Sequence, residues 1–197
     1  MIKNINLLDF KTNKMKKITT TFKGLFIING IRYDDNRGYF RETFKEKIFK
    51  KLNLKFWCMS KSKKGVLRGL HLQLKFTQDK FISVIKGRIL DVVVDLRPKS
   101  ITFGKHYKVE LSEKNCKSLF IPAGFAHGFY ALDKENIIFY GNSNYRSKNS
   151  ETGLLWNDKD LKIRWPKGKK IISKKDKFNT TFFEFKKKFI FKKNKTT

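Results

Sequence analysis

The chain has 197 residues, 40% of them hydrophobic and 20 of them phenylalanine, which is enough apolar material for one buried core and excludes a disordered chain. Lys and Arg number 46 against 17 Asp and Glu, a net charge of +29 spread along the chain with peaks over 11–23 and 167–195; no nucleic-acid-binding motif accompanies it, so no specific nucleic-acid partner is expected, although an anionic small molecule such as a diphosphate would be attracted. No run approaches the roughly 20 apolar residues of a membrane span, and the N-terminus lacks an apolar signal core, so no membrane partner and a cytoplasmic location are expected.

In chain order, residues 1–21 read as a polar, Lys-rich lead-in. From Gly24 short apolar runs alternate with turn signals. GLFIING is followed by a turn at 34–38, and YFRETF then alternates like a half-buried strand. Lys45 to Leu54 places Ile48, Phe49 and Leu52 at the spacing of a short amphipathic helix. KFISVIKGRILDVVVDLR has Lys86-Gly87 between two β-branched runs, which predicts a hairpin because Gly adopts the positive φ of a tight turn. HYKVELS, SLFIPAGF, HGFYAL and NIIFYGN continue at about 8–12-residue spacing, which favours an all-β sandwich or barrel over alternating strands and helices. An antiparallel jelly roll, with a cavity lined by inward side chains, accommodates this many short strands. FFEFKKKFIFKKNKTT reads as a peripheral helix or a loose basic end. The single domain is expected over 22–184, with a basic tail over 185–197. Cys58 and Cys116 read as two small half-buried apolar residues in a reducing compartment.

Two clusters carry the chemistry. In RGLHLQ (68–73) strand alternation puts His71 and Gln73 on one face, with Arg68 on the other unless Gly69 kinks the chain. An imidazole titrates near about 6.5, and a neighbouring cation favours its neutral, basic form. A lone strand histidine is more often structural, so the case rests on its partners. In IPAGFAHGF (121–129) glycines flank His127, which suits a turn that delivers the ring into a cavity. PxGxxH is similar to the second metal motif of cupins. The first motif would need His-x-His, however, and the matching place reads His71-Leu72-Gln73, with His106 the one remaining histidine. No metal is expected, and acid–base chemistry is.

Five stretches then occur in a fixed order: DDNRGYFRETF (34–44), SKKGVLRGLHLQ (62–73), GRILDVVVDLRPKSITFG (87–104), IPAGFAHGFYAL (121–132) and GLLWNDKDLKIRWP (153–166). Through them the chain resembles the dTDP-4-dehydrorhamnose 3,5-epimerase family from about Phe22 to Asp176. The resemblance implies a cupin-type jelly roll that needs no cofactor. It also implies a substrate with a ketone at C4 of a nucleotide-linked 6-deoxyhexose, whose C3 and C5 protons are acidified by that carbonyl. By position His71 matches the family's base, Asp176 the carboxylate that orients it, and Tyr140 the acid on the opposite face of the ring. Arg68 and, across a one-residue deletion, Lys80 match the cations around the ketone, and His127 lines the sugar pocket. Gln73 shares the face of His71. Arg37, Phe40 and Glu42 fall on the nucleotide-binding strand, which in the family's homodimers reaches the partner's site. Arg97 is read equally as part of the basic side of the pocket or as structural.

Two places depart from the family pattern. Phe56 and Cys58 stand where a Gln and an Asn are usual, and Tyr145-Arg146 stands where two tyrosines are usual. Both concern the nucleotide end, so the base and the exact sugar stay open, as does epimerisation at one carbon or two. A cupin that binds a nucleotide sugar without turning it over is the remaining alternative.

Overall fold

A computed structural model describes residues 14–49 and 52–189. Two antiparallel sheets face one another. One is built in the order β1 (Lys16–Thr19), β2 (Phe26–Asn29), β10 (Lys117–Ile121), β7 (Lys80–Lys86), β12 (Glu135–Asn142) and β5 (Phe56–Lys63). The other runs β13 (Glu151–Gly153), β6 (Val66–Gln73), β11 (Phe125–Ala131), β8 (Arg88–Asp95) and β9 (His106–Ser112), with β14 (Ile171–Ile172) parallel to β6. A separate hairpin joins β3 (Ile31–Asp35) to β4 (Gly38–Glu42). This is the antiparallel jelly roll of cupins.

The inter-sheet core follows from strand alternation. Ile82 and Val84, Leu119 and Ile121, and Ile138 meet Ile89, Val93, Phe125 and Phe129 from the facing sheet. β8 reads ILDVVVD with little polar alternation because its other face is covered too. Val92 and Val94 pack with Leu70, Leu72, Leu154 and Leu161 beneath Phe182 and Phe185 of α2 (Phe182–Phe189). α2 starts with a capping box: the Glu184 carboxylate accepts from the Thr181 amide, and Thr181 Oγ1 accepts from the Glu184 amide. Residues 190–197 of the expected basic tail lie outside the described residues, and among the described residues no helix is long and apolar enough to cross a membrane.

Several local expectations are corrected. Lys86-Gly87 does not close a hairpin: β7 and β8 lie in different sheets, and Gly87, at φ 78°, turns the chain from one to the other. A hairpin and a sheet switch need the same positive-φ glycine, so the local signal does not separate them. Within 45–54 the described residues show a 3-10 turn at Glu46–Ile48, without a side-chain cap, in place of the expected helix. The apolar residues of this segment serve as anchors instead, with Phe49 and Leu52 buried on Phe26, Ile28 and Phe81 over the outer face of the first sheet. Part of the presumed lead-in is β1, an edge strand paired with β2. Both cysteines are free; Cys116 is buried, whereas Cys58 is exposed.

Candidate active site

A cavity of about 640 Å³ opens between the two sheets, lined by β5, β7 and β12 on one side and by β6 and β11 on the other. His71, Arg68, Lys80, His127, Tyr140 and Asp176 all line it. Gln73, Phe56 and Cys58 are at its wall too.

β6 places two reactive side chains by breaking its own alternation. His71 is opposite His127 on β11, but Arg68 is opposite Phe129, so three steps along β6 match two along β11. This bulge returns Arg68 to the face of His71, as a kink at Gly69 would. Gly69 has φ 124°, and a Cβ there would sit 2.5 Å from Gly128 Cα and 2.8 Å from the His127 carbonyl oxygen. Only glycine fits this close approach of two strands.

Asp176 arrives from the other end of the domain. β14 pairs with Val66 and Leu67 of β6, and α1 (Lys174–Lys177) begins directly after it, capped by Ser173, whose Oγ accepts from the Asp176 amide. Asp176 Oδ1 is 2.5 Å from His71 Nε2, and Oδ2 accepts from the Gly69 amide. Burial works against the charge of Asp176, but the hydrogen bond and charge of His71, together with the Gly69 and Ser173 contacts, hold its carboxyl below the ordinary range. With Nε2 engaged, the Nδ1 atom of His71 is the ring nitrogen left for a substrate proton.

Tyr140 comes from the facing sheet. Its hydroxyl is 2.9 Å from Ser60 Oγ, and burial raises its pKa well above that of an ordinary phenol, so it stays protonated. Ser62, two residues further along the same face of β5, accepts from Arg68 Nε at 3.1 Å, and Arg68 also donates to the Lys61 carbonyl. Lys80 opens β7 and is half-buried. Burial lowers its pKa, partly opposed by Glu151, Cys58 and Asp91. At the mouth Glu151 bridges Arg146 and Lys175 at 3.0 and 3.2 Å.

Other expected residues sit differently. Gln73 touches the cavity, but its amide is occupied by backbone: it donates to the carbonyls of Phe76 and Tyr145 and accepts from the Ser147 amide, tying two loops together. Tyr145 is exposed, its ring 6.3 Å from Phe56. Arg37, Phe40 and Glu42 lie on the β3–β4 hairpin and do not line this chain's cavity. Arg41 fastens that hairpin to the outer face of the first sheet by donating to Val84 O and Ser83 Oγ. Arg37 pairs with Asp35 and Glu42 with Lys45. Arg97 is structural, gripping buried Asp95 from 2.7 Å and covering Phe125. Ser60, Ser62, Glu151 and Asp91 escaped the sequence reading, although the period-two spacing of Cys58, Ser60 and Ser62 put the hydroxyls on one face. Among the described residues no three His, Cys, Asp or Glu side chains converge as a metal-ligand set.

A histidine–carboxylate pair, a protonated phenol from the opposite sheet and two cations can together remove a proton, return one from another direction and hold a developing oxyanion. Fold and cavity thus define a cupin-type jelly roll with an acid–base pocket. The model of the dTDP-4-dehydrorhamnose 3,5-epimerase family matches residues 19–184. A dTDP-4-dehydrorhamnose 3,5-epimerase of Methanothermobacter thermautotrophicus is 44% identical over 81% of this chain and 90% of its own length, and one of Shigella flexneri 42% identical over 82% and 93%. The Legionella pneumophila dTDP-6-deoxy-D-glucose-3,5-epimerase, solved in complex with dTDP-4-keto-L-rhamnose, superposes with a TM-score of 0.82 at 38% identity, covering 85% of this chain and 93% of that one. The chain belongs to the dTDP-4-dehydrorhamnose 3,5-epimerase family, and it is an isomerase.

Proposed function

We propose that the protein inverts C3 and C5 of dTDP-4-dehydro-6-deoxyglucose, giving dTDP-4-dehydrorhamnose, by proton transfer through an enolate. The observation that carries this reading is the arrangement of His71–Asp176 and Tyr140 on opposite walls of one cavity. Nδ1 of His71 takes the proton from the carbon beside the ketone, and the electron pair moves onto O4. Arg68 and Lys80 stabilise that oxyanion, and His127 contacts the sugar. Tyr140 returns a proton to the opposite face of the carbon. The imidazolium, steadied by Asp176, then loses its proton to solvent, and the tyrosinate regains one. Repeating the cycle at the second carbon completes the double inversion.

The catalytic unit is assigned to 22–184, in keeping with the extent of the family match. The protein works as a homodimer in which Arg37, Phe40 and Glu42 complete the partner's nucleotide pocket. Support comes from exposed apolar side chains on the hairpin and on β5: Phe40, 65% exposed and stacked on Tyr33, and Met59, 67% exposed. Large apolar side chains left exposed in this way favour a protein partner. The same reading puts the protein in the cytoplasm, where nucleotide-linked sugars are made.

The test is incubation with dTDP-4-keto-6-deoxyglucose in D2O with a 4-reductase and NADPH. Deuterium at both C3 and C5 of the reduced sugar is expected. Label at one carbon would make the enzyme a single-site epimerase, and neither label nor NADPH oxidation would remove the reading altogether.

A further inference from the structure

Asp91 lies in β8 on the same face as Ile89 and Val93, inside the inter-sheet core, and is wholly buried. One of its oxygens, Oδ2, is 2.8 Å from Nε2 of His127; the other, Oδ1, has no partner among the described residues. A buried carboxylate oxygen without a donor costs about 1–3 kcal/mol. An apolar residue at this position, between Ile89 and Val93, would avoid that cost. A charge kept where stability argues against it points to the neighbouring cavity, and its field is felt there by Lys80 and Tyr140.

His127 lines the cavity, is the cross-strand partner of His71, and makes no hydrogen bond through Nδ1 among the described residues. Two histidine–carboxylate pairs therefore stand side by side, His71 with Asp176 and His127 with Asp91, each engaged through Nε2. We infer that Asp91 is a positioning residue of the active site, holding His127 by Nε2 so that Nδ1 is the ring atom offered to the sugar. This role presupposes the epimerase reading above and adds a group to it. In the neutral ring the carboxylate fixes the proton on Nε2 and leaves Nδ1 as an acceptor. An asparagine at 91 removes that bias: its amide oxygen preserves the tautomer, while its amide nitrogen, turned toward the ring, forces the proton onto Nδ1.

The experiment compares wild type, Asp91→Asn, His127→Asn and the double variant for kcat, KM and melting temperature, with the 15N spectrum of the His127 imidazole recorded for wild type and Asp91→Asn. Asp91→Asn is expected to lose at least about tenfold in kcat, by analogy with the orienting carboxylate of a catalytic triad. Its KM should stay within about twofold and its melting temperature should not fall. The double variant should be no slower than His127→Asn alone, because a residue that acts through another is non-additive with it. The 15N spectrum of Asp91→Asn should show mixed tautomers of His127. Unchanged kcat in Asp91→Asn, or additive losses in the double variant, would overturn the role. An inactive wild type would instead remove the epimerase reading; the 15N spectrum then decides, and identical tautomers in wild type and Asp91→Asn would overturn the positioning role by itself.

Discussion

Nε2 of His71 and Oδ1 of Asp176 are 2.5 Å apart, although 105 residues separate them in sequence. The contact depends on β14 lying along β6 and on Ser173 starting α1 at the point that turns Asp176 inward. The proposed base and its orienting carboxylate thus come from segments far apart in the chain. The first prediction follows. His71→Ala should lower kcat by about 10²-fold or more, as for a lost acid–base group. Binding of dTDP, measured by calorimetry, should be little changed. Full turnover in His71→Ala would end the mechanism.

Tyr140, as the proposed acid, is expected to separate proton removal from inversion. Burial keeps its phenol protonated well above the ordinary range, so its proton is present at every pH at which the protein is ordinarily assayed. Tyr140→Phe should therefore lose inversion by about 10²-fold. It should still exchange substrate protons with D2O, because His71 is intact. NMR of the recovered sugar distinguishes the two: wash-in of deuterium without a change of configuration is the expected result. Loss of exchange together with inversion would deny the tyrosine its separate role.

A pH dependence of turnover is expected from Lys80. Burial lowers its pKa below that of an ordinary lysine, so its charge is lost at a lower pH than an ordinary lysine's. If that charge steadies the enolate, kcat should decline on the alkaline side. Lys80→Arg, a cation that does not titrate there, should move the decline to higher pH, whatever geometric penalty it carries at neutral pH. An alkaline limb that stays in place in the Arg variant would assign it to another group.

Asp95 tests the scaffold behind the pocket. Burial opposes its charge, but Arg97, Ser100 and Thr102 all donate to it and hold its pKa at about 2, against an ordinary 3.8. A depressed carboxylate pKa contributes stability that is complete above the unfolded value and disappears as pH falls toward the folded one. The shift corresponds to about 2 kcal/mol. Asp95→Asn should accordingly melt about 5 °C lower at pH 7, a gap that closes as the pH is taken down toward 2. A gap that is independent of pH would mean that packing, and not charge, holds this corner.

The strand pattern was legible in the sequence because alternation is local information, whereas His71, Tyr140 and Asp176 were grouped through the family resemblance, and all three line one cavity. What was not legible depends on where strands go after a turn. Lys86-Gly87 signals a turn but not its destination, and the apolar residues of 45–54 suit an amphipathic helix as well as a set of aromatic anchors. Asp91 was hidden in a run of β-branched residues, where one acidic side chain gives no sign of facing a histidine 36 positions away. Gln73 matched the face of His71, yet its amide is taken up by the loop carbonyls, which no spacing reveals.

Gly69 is the hinge between that legible motif and the geometry. Gly69→Ala would drive a methyl group into Gly128 and the His127 carbonyl at a backbone angle that disfavours any side chain. β6 must then shift against β11, carrying Arg68 and His71 with it. The variant should lose about 2 kcal/mol or more of stability and most of its turnover. A thermal melt alongside the coupled assay checks both. A stable, fully active Ala variant would show that the bulge does not set the positions of Arg68 and His71.

Arg37 is 85% exposed, on the outside of the first sheet, while the cavity opens on the inside. If it completes the partner's site, each pocket combines His71 of one copy with Arg37 of the other. Arg37→Ala and His71→Ala should then each be impaired alone, the first mainly in KM. When the two are unfolded together and refolded, the mixed dimers contain one pocket in which both residues are intact and one in which both are lost. Activity of the mixture should therefore rise above the sum of the separately treated variants. Sites confined to single chains predict no such gain, because every pocket would then carry one of the two substitutions whatever its partner.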